Sequence, residues 1–397
     1  MAQLYNAPPG SPSDIGAQFN THYWDRRSLI DAAEQMFFSP LADARSMPMH
    51  YGKELKVYYY VPLLDERNVN DQGLDAAGVV VASGVNMYGG SKDVGLISSK
   101  MPTLTEEGGR VNRVGFTRLE RSGTLAEHGF FTEFSDDMMT FDTDSDLYGH
   151  MSREMVAGAN EITEDLLQID LLSNAGTVVF SGVATQDSEI TGEGANPSVV
   201  TYMDLKKLSI VLDDNRTPKN TKIIKGSTMT DTMTVNASRI MYIGSELQIT
   251  VENMVDGLSN PAFTPVRKYA DAATILNGEI GSVGDFRIVV VPNMMNWESA
   301  GAAETGANLG YSATAAAYNI FPMLVVGDGS FATVGLQGSG KKGAKQKFKI
   351  IVRKPGKEMA TVQDPYGKIG FSSITFYHGF IALRPERLAV VKTVAAE

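Results

Sequence analysis

Residues 54–61 read ELKVYYYV and residues 115–121 read GFTRLER. The first is rich in β-branched and aromatic side chains and the second alternates, so both are predicted as strands. Between residues 62 and 123 lie ten glycines and few long apolar patterns. A strand, about fifty irregular residues and a matching strand describe an extended hairpin better than a globular domain, because loops that long are uncommon in compact domains and usually functional. An isolated two-stranded ribbon is marginal in water. A projection of this kind gains stability by lying on another subunit.

Downstream of the hairpin, Met151, Met155, Ala159, Ile162, Leu166 and Ile169 step by four, four, three, four and three, which predicts one apolar stripe along a helix. Asp142, Asp144 and Asp146 stand before it, where carboxylates favour the positive end of the helix dipole. Gly176 is the predicted stop. A helix begun near Asp144 has about thirty residues and a length of about 45 Å. That is a spine. Upstream of the hairpin, residues 1–13 are proline-rich and read as a flexible arm. Ile15, Phe19, Tyr23, Ile30, Ala33 and Phe37 then recur near helical spacing until Pro40. This segment is either an arm lying on a neighbour or an ordinary first helix packed on its own core.

The middle of the chain mixes element types. Residues 204–213 (DLKKLSIVLD) predict a helix with Leu205, Leu208 and Leu212 inward, stopped by Asn215 and Pro218. Residues 286–292 (FRIVVVP) are a continuous apolar run, hence a strand buried on both faces. Residues 245–257 and 268–278 are further helix candidates, and helices alternating with buried strands predict a sheet covered by helices. The last third is strand-rich, with strands predicted at 348–353 and 371–383 and a tight turn at Asp364-Pro365-Tyr366-Gly367.

Composition excludes more than it selects. The 397 residues are 43% hydrophobic and 20% charged, as in a core-forming protein. No run approaches the roughly 18 apolar residues of a membrane span. The first residues lack the basic and apolar regions of a signal peptide, so the chain is expected to stay in the cytosol that made it. Cysteine is absent, which removes disulfides, thiolate nucleophiles and Cys-based zinc sites. The five histidines, His22, His50, His128, His150 and His378, show no ligand-like spacing. A net charge of −11 argues against gripping nucleic acid over the whole surface, though a container wall is compatible with it.

Two motifs imitate sites. Residues 335–342 (GLQGSGKK) approach the phosphate loop through Gly335, Gly340 and Lys341, but Lys342 replaces the metal-binding hydroxyl. Gly338, Gly340 and Gly343 also spell G-x-G-x-x-G, yet the following residues read as a strand rather than the helix a phosphate needs. The Asp142, Asp144, Asp146 series resembles a calcium loop, but Leu147 replaces the required glycine and Arg153 the bidentate glutamate. No catalytic, cofactor or metal residue is assigned, and no enzyme activity is expected.

The order of parts resembles the HK97-type major capsid protein of tailed phages. Residues 204–220 (DLKKLSIVLDDNRTPKN), 278–293 (GEIGSVGDFRIVVVPN) and 364–393 (DPYGKIGFSSITFYHGFIALRPERLAVVKT) carry the likeness, which is nearest to the family of enquatro-type (N4-like) podophages. The resemblance implies an α+β fold with an N-arm at 1–50 and an E-loop with flanking strands at 51–125. It further implies a peripheral domain with the spine helix at 126–176, an axial domain with a mixed sheet at 177–345, and C-terminal strands returning to the peripheral domain at 346–397. It implies self-assembly into hexamers and pentamers of an icosahedral head around double-stranded DNA, in the host bacterial cytoplasm. Scaffolding protein, portal and a decoration protein are the implied partners, with no membrane and no sequence-specific DNA binding. Some such shells are locked by Lys–Asn isopeptide bonds. Lys92 and Lys100 lie in the loop, but non-covalent interlacing is the expectation here. A nanocompartment shell of the same fold, and an enzyme using the 335–342 loop, are the alternatives.

Residues 133–146 carry six acids and no base, and residues 341–357 eight bases and no acid. They are two solvated surfaces, or a basic strip facing packaged nucleic acid, or complementary fields meeting across subunits. On the last reading, reversing the charge of Lys345, Lys347 and Lys349 blocks assembly without unfolding the subunit. Normal shells from that triple mutant, seen by negative-stain microscopy, exclude it.

Overall fold

The computed structural model describes residues 37–48, 50–60, 70–71, 94, 113–114, 118–141, 147–219, 238–269, 276, 278–336, 348–362 and 364–396. The chain divides into two compact units, Met1–Lys53 with Leu125–Glu397, and Glu54–Thr124. The N-terminal helix pattern up to Ala33, the acids at 142–146, the glycine loop beyond Leu336, and Lys92 and Lys100 lie outside the described residues.

In chain order the first strands are β1 (Asp43–Met47), β2 (Glu54–Tyr60), β3 (Asn70–Asp71), β4 (Arg113–Val114) and β5 (Arg118–Ser135). A short helix α1 (Asp136–Phe141) and a long one, α2 (Leu147–Ser173), lead to β6 (Thr177–Phe180) and α3 (Tyr202–Asp214). Next come β7 (Arg239–Ile243), α4 (Gln248–Glu252), β8 (Phe263–Pro265), β9 (Glu279–Val283) and β10 (Phe286–Val290). The small pair β11 (Ala313–Thr314) and β12 (Ala317–Tyr318) precedes β13 (Phe321–Val326) and β14 (Phe331–Leu336). Last are β15 (Phe348–Arg353), β16 (Ile369–Ala382) and β17 (Leu388–Thr393).

Beside the small β11–β12 pair, the described residues of the larger unit form two large sheets. One is seven-stranded in the order β6-β17-β13-β7-β10-β9-β8, with β7–β10 and β6–β17 parallel and the other pairs antiparallel. Its central strands are apolar runs buried on both faces, as covered sheets require. Met241, Ile243, Ile288, Met323 and Val325 meet Leu205, Leu208 and Leu212 of α3 on one face. Ile240, Tyr242, Val289, Leu324 and Val326 meet Leu167 and Leu171 of α2 on the other. The second sheet of this unit runs β1-β14-β16-β5, and β15 also pairs with β16. Of the strands after residue 346, β15 and β16 lie in this second sheet. By contrast β17 does not return with them. Its run LAVVKT is almost wholly buried and sits between β6 and β13, where an apolar strand fills both faces.

Local rules account for the elements. Helix α3 begins with a reciprocal capping box: Thr201 Oγ1 accepts the Asp204 N–H, and Asp204 Oδ2 accepts the Thr201 N–H at 3.1 Å. Asn215 closes it, as expected. The helix expected at 245–257 is shorter, a 3-10 turn followed by α4 and finished by Asn253. Where a helix was expected from residue 268, Val266–Lys268 form a 3-10 turn and Tyr269 is already extended. The turn at 364–367 is closed by the Gly367 N–H donating to the Asp364 carbonyl at 3.2 Å, with Gly367 at φ 62°.

Helix α2 is the predicted spine, and Met155, Ala159 and Leu166 of the predicted stripe do pack inward, but the buried face does not follow the stripe along the whole helix. Met155 and Ala159 pack on Ile374 and Phe376 of the second sheet, whereas Leu167 and Leu171 pack on the seven-stranded sheet. Those positions step by four, eight and four, so the buried face turns around the helix by about 40° for every four residues. Ile162 and Ile169, on the predicted stripe, are instead 38% and 50% exposed. Gly176 also differs in its reason. Its N–H donates to the Pro385 carbonyl at 2.9 Å, and a Cβ there would stand 2.5 Å from that carbonyl oxygen. Close backbone approach, not a left-handed cap, requires the glycine. Gly176→Ala is expected to destabilise by about 1–3 kcal/mol, read as a lowered urea midpoint with unchanged slope.

Candidate assembly surface

In the smaller unit, β2 pairs antiparallel with residues 118–124 of β5, from Glu54 opposite Thr124 to Tyr60 opposite Arg118. Farther along both arms, Asn70 and Asp71 pair with Val114 and Arg113, so the pairing keeps hairpin order. One face of this ribbon bears Tyr58 and Tyr60, 60% and 59% exposed, with ring centroids 6.1 Å apart. The Arg118 guanidinium lies 5.2 Å from the Tyr58 ring centre and pairs with Glu120. Exposed tyrosine and arginine together are the residue types that anchor protein interfaces.

In the larger unit, β16 lies between β15 and residues 125–135 of β5. Phe348, Ile374, Phe376 and Phe130 face α2. The opposite face carries Lys349, Ile351 and Arg353 on β15, Phe371 and Thr375 on β16, and Glu127, Phe131 and Glu133 on β5, by register. Phe131 is 63% exposed and Ile351 40%. Of the three lysines singled out in the sequence, Lys349 stands on this face, while Lys345 and Lys347 lie outside the described residues. Glu133 of the acidic block and Lys349 and Arg353 of the basic block therefore share one sheet. Glu133 and Arg353 stand in register on either side of Phe371, two strand spacings or about 10 Å apart.

A third feature was not found by sequence reasoning. Glu164, 8% exposed on α2, accepts the backbone N–H groups of Phe38 and Ser39, each at 3.2 Å, and the Ser39 hydroxyl. Phe38 is buried in the core with its ring 4.9 Å from that of Tyr242, and the Tyr242 hydroxyl donates to the Phe37 carbonyl at 3.1 Å. Burial, with the Glu164 carboxylate second, holds the Tyr242 phenol well above its ordinary range. It stays a neutral donor. Residues 37–41 are thus pinned where the N-terminal segment joins the body. The available signal was the polar Glu164 two residues before the stripe residue Leu166, too common to single out.

Two of the histidines have local partners: His128 stacks on Phe376, and His378 Nε2 lies 2.9 Å from Asp170 Oδ2. Among the described residues no group of three or more histidines and carboxylates could hold a metal, and no helix is long and apolar enough to cross a membrane. Gly335 stands inside β14, and the strand expected after the glycine loop is β15.

A family model described as phage capsid protein matches residues 119–393. The major capsid protein of Pseudomonas phage KPP21 is 50% identical over 392 residues, which cover 98% of this chain and 97% of that protein. Two solved structures each align over 98% of this chain and 98% of their own. They are the capsid of cyanophage P-SCSP1u (TM-score 0.53, 14% identity) and the capsid of Ralstonia phage GP4 (TM-score 0.57, 12% identity). Likeness at such identity carries the fold alone.

The Glu164 anchor is tested on the subunit itself. Glu164→Ala leaves the buried Phe38 N–H without its acceptor, and a loss of about 1–3 kcal/mol is expected. Chemical denaturation measures it, and an unchanged midpoint would mean the anchor carries no stability.

Proposed function

The chain belongs to the phage capsid protein family, and from that premise we propose how its parts are used. It is a phage major capsid protein with the HK97-type fold, and it forms the head shell. The match to a phage major capsid protein favours this over a nanocompartment. In our reading the shell is an icosahedral head of hexamers and pentamers around double-stranded DNA, of the enquatro type, built in the host cytoplasm. Scaffolding protein, portal and a decoration protein are its partners. The chain acts as a building block and not as an enzyme. Residues 1–50 serve as the N-arm, 51–125 as the E-loop, 126–176 and 346–397 as the peripheral part, and 177–345 as the axial domain, with β17 lent to the axial sheet.

The observation that carries this reading is the separate unit Glu54–Thr124, entered and left through one two-stranded ribbon with tyrosines exposed on it. Such a ribbon is marginal alone. A neighbouring subunit supplies the burial it lacks, at about 25 cal/mol per Å² before the costs of association.

Replacing residues 62–116 by a short turn is expected to leave the larger unit folded, by circular dichroism, and to abolish closed particles in sedimentation and negative-stain images. The full chain is expected to form closed particles, alone or with its scaffold. Normal shells from the shortened chain would remove the assembly role of the loop, and only small particles from the full chain would overturn the reading itself.

A further inference from the structure

β15 pairs with β16 along one edge only, and so do residues 126–135 of β5; among the described residues neither outer edge has a strand partner. Unpaired edges are templates for another chain. On β15, residues 349–353 are all exposed, including Ile350, Ile351 and Val352. The two edges differ in sign. Lys349 and Arg353, followed by Lys357, make the β15 edge basic, while Glu127 and Glu133, followed by Asp136, make the β5 edge acidic; Asp137 beyond them is paired with Lys368 at 3.5 Å. Within one subunit the strand β16 keeps them apart. Arg353 and Glu133 are separated by Phe371, about 10 Å, close to the Debye length at 0.1 M salt. No ion pair joins the two in this structure.

We infer that the basic β15 edge of one copy docks against the acidic β5 edge of the next copy, head to tail. Charge decides the symmetry of the contact. A two-fold arrangement would set Lys349 and Arg353 against themselves, and like charges juxtaposed in an interface oppose association. A head-to-tail arrangement sets each edge against its complement. It leaves one free edge of each sign on every growing chain of subunits, so it closes only as a ring. Exposed Ile351 and Phe131 stand beside the charged residues on the same face and supply apolar area for the contact. The inference rests on the shell reading and adds to it which surfaces meet.

Three chains test it: Lys349→Glu with Arg353→Glu, Glu127→Lys with Glu133→Lys, and all four changes together. Each two-residue variant alone is expected to stay unassembled, with a critical concentration raised about tenfold or more. Mixed, the two are expected to co-sediment as even-membered rings near equal stoichiometry, because acidic-edged and basic-edged copies must alternate and a ring of five would leave one like-charged contact. The four-residue variant is expected to assemble like the parent. Circular dichroism and thermal melts establish that each chain is folded. If a two-residue variant misfolds, Lys349→Gln with Arg353→Gln replaces it, and the salt dependence of its assembly is expected to be shallower than the parent's. Assembly of either two-residue variant at the parent's concentration would overturn the inference, as would folded variants that stay apart when mixed, or an unchanged salt slope. Failure of the unaltered chain to assemble with its scaffold would instead remove the shell reading beneath it.

Discussion

The larger unit depends on one helix serving two sheets. Helix α2 gives Met155 and Ala159 to the β15–β16–β5 layer and Leu167 and Leu171 to the seven-stranded layer. An α-helix presents one face to one flat partner. To serve two partners along its length, the buried positions must advance around it. This constraint explains the polar residues it buries, Glu164 and Gln168, which lie where one contact hands over to the other. Glu164 meets the N-terminal segment, and Gln168 Nε2 lies 2.9 Å from the Met294 sulfur.

Much of the fold was legible because its elements obey local rules. Residues 286–290 and 348–353 read as strands and are strands. Leu205, Leu208 and Leu212 read as an inward face and are buried. What was not legible is relational. The apolar spacing of α2 told of a helix but not that two sheets share it, so Ile162 and Ile169 were placed inside and are not. Residues 122–135 hide a long continuation of β5, because glycines at 123 and 129 interrupt the alternation. Gly129 is there because a Cβ would stand 2.7 Å from the Ile374 carbonyl oxygen, a contact no local pattern announces.

The candidate surface was half legible. The acidic and basic blocks stand out by counting, but their relation does not. Folding lays Glu133 of the one and Lys349 and Arg353 of the other on the two strands that flank β16, with the phenylalanine at 371 between Glu133 and Arg353. Surface ion pairs are weak and screened, so their value lies less in holding a subunit together than in selecting orientation and speeding encounter. The buried pair of Arg287 and Glu279 is a different case. Both side chains are almost wholly buried, and the Tyr269 hydroxyl donates to Glu279 at 2.9 Å. Removing one partner would strand a charge in the core.

The pinning of residues 37–41 has a mechanical consequence. The Glu164 carboxylate receives the Phe38 and Ser39 amides and the Ser39 hydroxyl together. Tension arriving along the backbone from the N-terminal side therefore loads these bonds in parallel, and they must fail as a group. The force passes into the helix that spans both layers and is spread through the body of the subunit. A tug from outside moves the subunit as a whole before it unravels the strand beyond.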